Sequence, residues 1–240
     1  MEYLFILAVG LVAGTIGGIV GFGSSLLLMP VLVIVFGPRQ AVPIMAIAAI
    51  MANFSRVAVW WREVDWRTCA AYTATAVPCA ALGARTLLVL PPKLVEVGLG
   101  LFFVSMIGIR RWMAARRRHV GRGALAALGA PVGFLTGVVA STGPVTAPIF
   151  LATGLVKGAF LSTEAAASLA VYFAKAAVFR SFGALPLSIV VEGLIVGSTL
   201  TAGALIAKRF VLHMDAARFH LLMDALLGFS GLTLLWAAVF

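Results

Sequence analysis

Arg56 and Lys175 stand where cations are costly. Each interrupts an apolar stretch, Ala41–Trp61 and Ala159–Phe182 respectively, and a charge at bilayer depth costs about 3 kcal/mol on insertion scales, so it needs a partner or a task. Asn53 lies three residues before Arg56 and Tyr172 three before Lys175, a spacing that shares one helix face. A cation with an amide or a phenol beside it suits the holding of an anion. The competing reading is anchoring, because Arg56 is about one turn from Trp60 and its long stem can snorkel to the headgroups.

A second set of residues points to the same chemistry. Gly21, Gly23, Ser24 and Ser25 in the first half, and Ser141, Thr142 and Gly143 ahead of Pro144 in the second, are the types that end one helix and cap the next. A helix that starts inside a membrane presents open N–H groups and its positive dipole end to whatever lies there, which favours an anion. Ser24, with Thr142 or Ser141, is the expected cap. Small residues that only let helices pack are the alternative; a cap-like cluster in both halves weighs against it.

The elements that carry these clusters are copies of one another. GLVAGTIGGIVGFGSSLLLMP at Gly10–Pro30 returns as GAPVGFLTGVVASTGPVTAP at Gly129–Pro148. Gly10, Gly14 and Gly18 stand four apart, as do Gly129, Gly133 and Gly137, which on a helix makes a smooth face where another backbone can come close. At the same shift Arg56 corresponds to Lys175. ALGARTLLVL at Ala81–Leu90 parallels AGALIAKRF at Ala202–Phe210, so the whole half is duplicated.

Composition sets the class. Of 240 residues 62% are hydrophobic and 11% charged, more apolar matter than one soluble core could hide. The chain reads as an all-α polytopic membrane protein. Its net charge of +10 is concentrated: Arg110, Arg111, Arg116, Arg117, Arg118 and Arg122 fall in one mid-chain segment, as in a cytoplasmic loop rather than a nucleic-acid site. Glu2 and the lack of an early basic residue favour a first membrane helix over a cleaved signal peptide. Cys69 and Cys79 have no metal-ligand spacing and read as small buried side chains.

Taken in order, the first repeat spans residues 1–113, a basic cytoplasmic linker 114–122, and the second repeat 123–240. Each repeat opens on an uncharged block, Tyr3–Pro38 or Gly123–Val156, too long for one crossing and short for two full helices of about 20 residues, hence a broken or short pair. Ala41–Trp61, Thr68–Leu90 and Leu94–Met113 follow in the first repeat, and Ala159–Phe182, Leu187–Ala207 and Asp215–Phe240 in the second. That makes about eight to ten membrane helices. Trp60, Trp61 and Trp66 bracket a charged turn as an aromatic belt does. An odd number of crossings per half inverts the second copy. The cytoplasmic turns then hold Arg62, Arg67, Lys157, Lys208, Arg209 and Arg218, while Arg39, Lys93 and Arg180 face outward, and both termini lie outside. Inversion also reverses depth, so Arg56 and Lys175 flank a central site instead of forming one cluster.

The sequence resembles the sulfite exporter TauE/SafE proteins, also grouped as TSUP transporters. The resemblance rests on the glycine-rich start of each half, on PVLVIVFGPRQAVPIMAIAAIMANFSR, on PIFLATGLVKGAFLSTEAAASLAVYFAKAAVFR and on GALIAKRFVLHMDAARFHLLMDALLGFSGLTLL. It implies a multi-pass protein of the bacterial inner membrane, a secondary transporter for an organosulfur anion of the sulfite, sulfonate or sulfoacetate type. Ser24, Ser25 and Ser141–Pro144 depart from the family's run of glycines.

Among acidic residues, Glu96 and Glu164 fall near span starts and are expected at the membrane surface. Glu192 and Asp224 lie deeper and are the candidates to carry a coupling proton. His119, His213 and His220 show no ligand spacing, and no cofactor motif is present. A phosphate loop with its lysine and a His-Glu-x-x-His pattern are both missing, which argues against an enzyme or an ATP-driven pump. The partners expected are a small anion, the lipid bilayer, a coupling proton and, as an arrangement the chain allows, a second copy in a homodimer. A passive anion channel and a non-transporting scaffold are the alternatives, and the broken-helix duplication favours a transporter with alternating access.

Overall fold

The structure is a computed structural model that describes residues 2–20, 24–91, 93–95, 97–98, 101, 104–105, 119–139 and 142–207. Among them there are helices and turns and no strand. The helices are α1 (Glu2–Val20), α2 (Ser24–Phe36), α3 (Pro38–Trp60), α4 (Trp66–Val89), α5 (Arg122–Val138), α6 (Gly143–Leu151), α7 (Lys157–Ser181) and α8 (Leu187–Ala207), with a 3-10 turn at Trp61–Glu63.

Local sequence explains the boundaries. Gly37, at φ +74°, takes a left-handed conformation that side chains resist, and Pro38 then opens α3 with its φ already helical. Asp65 caps α4: its Oδ1 accepts from the Arg67 and Thr68 amides at 3.0 and 3.2 Å. Gly183, at φ +72°, closes α7, and the Ala184 amide returns to the Phe179 carbonyl at 2.8 Å. The expected spans Ala41–Trp61, Thr68–Leu90, Ala159–Phe182 and Leu187–Ala207 correspond closely to α3, α4, α7 and α8.

Length separates long helices from short ones. Among the described residues Arg39–Glu63 and Leu187–Ala207 are long and apolar enough to cross a membrane. The 24-residue α4 and 25-residue α7 reach as far, about 36 Å at 1.5 Å per residue, but carry more polar groups. The 13 residues of α2 and 9 of α6 extend only about 20 and 14 Å, so neither crosses a hydrocarbon layer of about 30 Å. The sequence placed breaks in both blocks. Accordingly α1 ends at Val20 and α2 begins at Ser24, while α5 ends at Val138 and α6 begins at Gly143.

Glycine faces bring the helices together. A Cβ on Gly14 would meet the Leu200 backbone and one on Gly18 the Ala204 backbone, so α1 lies directly on α8. Gly133 and Gly137 meet the backbone of Ala76 and Ala80 in the same way, which seats α5 on α4. Between these pairs α3 packs on α7 and α8, and α4 on α7. The buried centre is apolar, with Leu28, Met29, Leu32, Ile44, Met45 and Phe150 among its most enclosed side chains. Segments Leu94–Met113 and Asp215–Phe240, like the linker 114–122, fall wholly or largely outside the described residues.

Candidate functional site

A cavity of about 40 Å³ lies where these helices meet, and its lining mixes polar side chains with Met45, Ala49, Ala52 and Val171. A water needs roughly 10–15 Å³ by the same measure, so the space suits a few waters or one small ion. Six helices converge on it: α2 brings Ser24 and Ser25, α3 brings Asn53 and Arg56, α6 brings Gly143 and Thr146 just after Thr142, and α7 brings Glu164, Ser168 and Tyr172. Tyr72 of α4 and Thr136 of α5 complete the polar wall.

Of the residues singled out from sequence, Ser24, Ser25, Asn53, Arg56, Thr142, Gly143 and Tyr172 therefore come together. Gly21, Gly23 and Ser141, and the proton candidate Asp224, lie outside the described residues. Lys175 does not appear in the cavity's described lining. It is fully buried, and its Nζ donates to the carbonyls of Thr136 at 2.7 Å and Val139 at 2.8 Å. The two carbonyls belong to the last turn of α5 and to its cap residue, the negative end of that helix, where a cation is favourable. Phe179 and Tyr172 each present a ring face to the ammonium, with centroids 5.8 and 5.7 Å away.

Arg56 turns inward. Its Nη1 donates to Glu164 Oε2 at 3.2 Å, and its Nη2 hydrogen-bonds Asn53 Oδ1. The i−3 spacing of Asn53 thus yields a contact, and Asn53 is fixed in turn by donating from Nδ2 to the Ala49 carbonyl at 2.8 Å. Arg56 also borders a smaller cavity beside Gly14, Gly17 and Gly18 of α1.

Two expectations need correction. Glu164, expected at the membrane surface, is 4% exposed and sits in the central wall. Its Oε1 accepts from Thr146 Oγ1 at 3.2 Å and from Ser168 Oγ at 2.9 Å. Arg56, Thr146 and Ser168 surround its carboxylate, and next to it the Asp65 amide, in the turn that follows α3, donates to Thr163 Oγ1 at 2.9 Å. The i, i+4 pair Glu164 and Ser168 was the available signal. Second, Thr142 occupies the cap position of α6 without capping it through its side chain. Pro144 offers no N–H to accept, and the Thr142 hydroxyl instead hydrogen-bonds the Thr136 hydroxyl. The Val145 and Thr146 amides turn onto the Thr142 carbonyl at 2.8 and 2.9 Å. What α6 offers the cavity is its dipole end and hydroxyls more than open amides.

Glu192 is elsewhere. It lines a different cavity of about 310 Å³ with Arg39, Gln40 and Ser188, and its buried Oε2 has no hydrogen-bond partner among the described residues. Cys69 is buried and Cys79 half-buried, both as free thiols.

No curated protein and no solved structure gives a significant match to the chain. Nearly its whole length, residues 6–234, matches the sulfite exporter TauE/SafE family, and the chain accordingly belongs to that family of membrane-embedded transporters for sulfite-like anions.

Proposed function

We propose that the chain is a secondary transporter that moves a small organosulfur anion, of the sulfite, sulfonate or sulfoacetate type, across the bacterial inner membrane by alternating access. The observation that carries the reading is the meeting, in one small buried cavity, of Arg56 with the starts of the two short helices α2 and α6. A guanidinium offers directed donors, and two helix N-termini add positive potential without titrating. Ser24, Ser25, Asn53, Thr142 and Tyr172 supply neutral hydrogen bonds around the anion, and Lys175 acts through the end of α5. Gly143 opens α6 beside them, and Gly21, Gly23 and Ser141 are proposed as further site residues from sequence alone.

The architecture proposed is an inverted repeat, residues 1–113 and 123–240 about the cytoplasmic linker 114–122, with both termini outside. Reciprocal packing supports it: α1 of the first half lies on α8 of the second through Gly14 and Gly18, while α5 of the second lies on α4 of the first through Gly133 and Gly137. Short helices meeting between such halves are the arrangement in which one site can face either side in turn.

Purified protein in liposomes, assayed for saturable uptake of sulfite and of methanesulfonate, tests the reading. Saturable flux with counter-transport supports it. Flux that grows linearly with concentration would make the protein a channel, and no flux of either anion would leave the scaffold role.

A further inference from the structure

Glu164 places a carboxylate in the cavity proposed to hold an anion. It is 4% exposed, paired with Arg56 at 3.2 Å, and it accepts from Thr146 and Ser168. With the cavity empty the Arg56–Glu164 pair sums to zero charge. An anion that takes the Arg56 Nη1 donor displaces this carboxylate from it, since both accept from the same group. Arg56, Glu164 and a monovalent anion would then leave one net negative charge in a buried site, which is strongly unfavourable.

One proton removes the conflict. Resting on the reading of this cavity as the anion site, we propose that Glu164 takes up one proton for each monovalent anion that replaces it on Arg56, so that anion and proton travel together.

The chemistry balances without any other group changing state. The proton comes from water on whichever side the cavity faces and forms an O–H bond on the carboxylate; Arg56 stays a cation throughout. Charge in the site is zero before and zero after. Thr146 and Ser168 suit both forms, because a hydroxyl that donates to a carboxylate can rotate to accept from a carboxylic acid.

Glu164 is the one carboxylate in the cavity's described lining. Arg56 of α3 is its ion-pair partner among the described residues. Tyr72 of α4 and Tyr172 of α7 share the cavity wall, and a phenol, ordinarily neutral near pH 7, has no negative charge to neutralise. Thr146 of α6 and Thr136 of α5 carry no charge. Glu63 reaches Gly158 at the start of α7, and Asp65 contacts Thr163 through its amide. Lys175 donates to the end of α5.

Methanesulfonate is the probe, since it stays a monoanion where sulfite itself titrates. Its binding to the full-length protein is measured by calorimetry in two buffers of different ionisation enthalpy, which counts protons taken up, and as a function of pH. The expected result is close to one proton per anion, with affinity falling about tenfold per pH unit on the alkaline side. Glu164→Gln, a permanently neutral stand-in, is expected to bind methanesulfonate with little pH dependence and no proton uptake. Binding by the unaltered protein without proton uptake overturns the proposal while leaving the anion site intact, and that measurement stands even if the variant does not fold. Proton uptake that persists in Glu164→Gln overturns it as well. No methanesulfonate binding at all would overturn the anion-site reading itself.

Discussion

Lys175 Nζ donates at 2.8 Å to the carbonyl of Val139, the cap residue that follows α5. The same ammonium takes the Thr136 carbonyl, while the Thr136 hydroxyl bonds that of Thr142 at the head of α6. One buried cation therefore fixes both sides of the interruption between α5 and α6. Replacing it with methionine removes two charge-assisted hydrogen bonds, each worth about 1.5–3 kcal/mol, and leaves two buried carbonyls without that donor.

The first prediction follows. Lys175→Met should lower the melting temperature of the purified protein and weaken anion binding together, although Lys175 is outside the cavity's described lining. Lys175→Arg should restore part of the stability, as a donor that overfills the space. Thermal unfolding followed by fluorescence, with anion titration on the same samples, checks this. Unchanged stability with reduced binding would instead make Lys175 a direct ligand.

Arg56 should behave differently, because it spans two partners. Its Nη1 meets Glu164 and its Nη2 meets Asn53, a fork that a single ammonium cannot reproduce. Arg56→Lys should therefore weaken methanesulfonate binding nearly as much as Arg56→Gln, by about 1–3 kcal/mol or roughly five- to 150-fold. Titration of both variants checks it; a lysine variant close to the parent would mean that charge alone suffices.

The glycine contacts give a stability prediction with its own control. A Cβ at Gly133 would press on the Ala76 backbone and one at Gly14 on that of Leu200, whereas Gly123, exposed in the first turn of α5, has nothing within 4 Å. Gly133→Ala and Gly14→Ala should each destabilise by about 1–3 kcal/mol through overpacking. Gly123→Ala should be neutral or stabilising by up to about 1 kcal/mol. Melting temperatures of the variants in detergent decide between packing and generic glycine effects.

The long helices were legible because uncharged runs bounded by Gly37, Asp65 and Gly183 leave few other places for ends. The convergence of Ser24, Asn53, Arg56, Thr142 and Tyr172 was legible from paired clusters at one shift. Two features were not. Correspondence made Lys175 look equivalent to Arg56, but its ammonium is taken up by the Thr136 and Val139 carbonyls at the end of α5, a choice of partner that spacing does not encode. Depth along the chain made Glu164 look superficial; Arg56 and Thr146, which meet its carboxylate, and the turn at Trp61–Asp65, which meets α7 at the neighbouring Thr163, are long-range contacts that periodicity does not encode.

That turn yields the last prediction. Asp65 lies between α3 and α4, outside both, and its Oδ2 accepts from Thr68 Oγ1 at 2.6 Å while Oδ1 accepts from the Arg67 and Thr68 amides. The Thr68 hydroxyl chiefly, with the amides, holds the Asp65 carboxyl below the usual carboxylate range. A group whose folded value is depressed contributes stability that is fully present above the unfolded-chain value and is lost as pH falls through the folded value. Stability should accordingly decline on acidification through the acidic carboxylate range, not near neutrality. Asp65→Asn keeps a capping oxygen without a titrating charge and should flatten this part of the acid limb. Asp65→Ala should cost about 0.5–2 kcal/mol at neutral pH by loss of the cap. Melting temperature as a function of pH for the parent and both variants is the measurement, and an acid limb equally steep in Asp65→Asn would place its origin at other carboxylates.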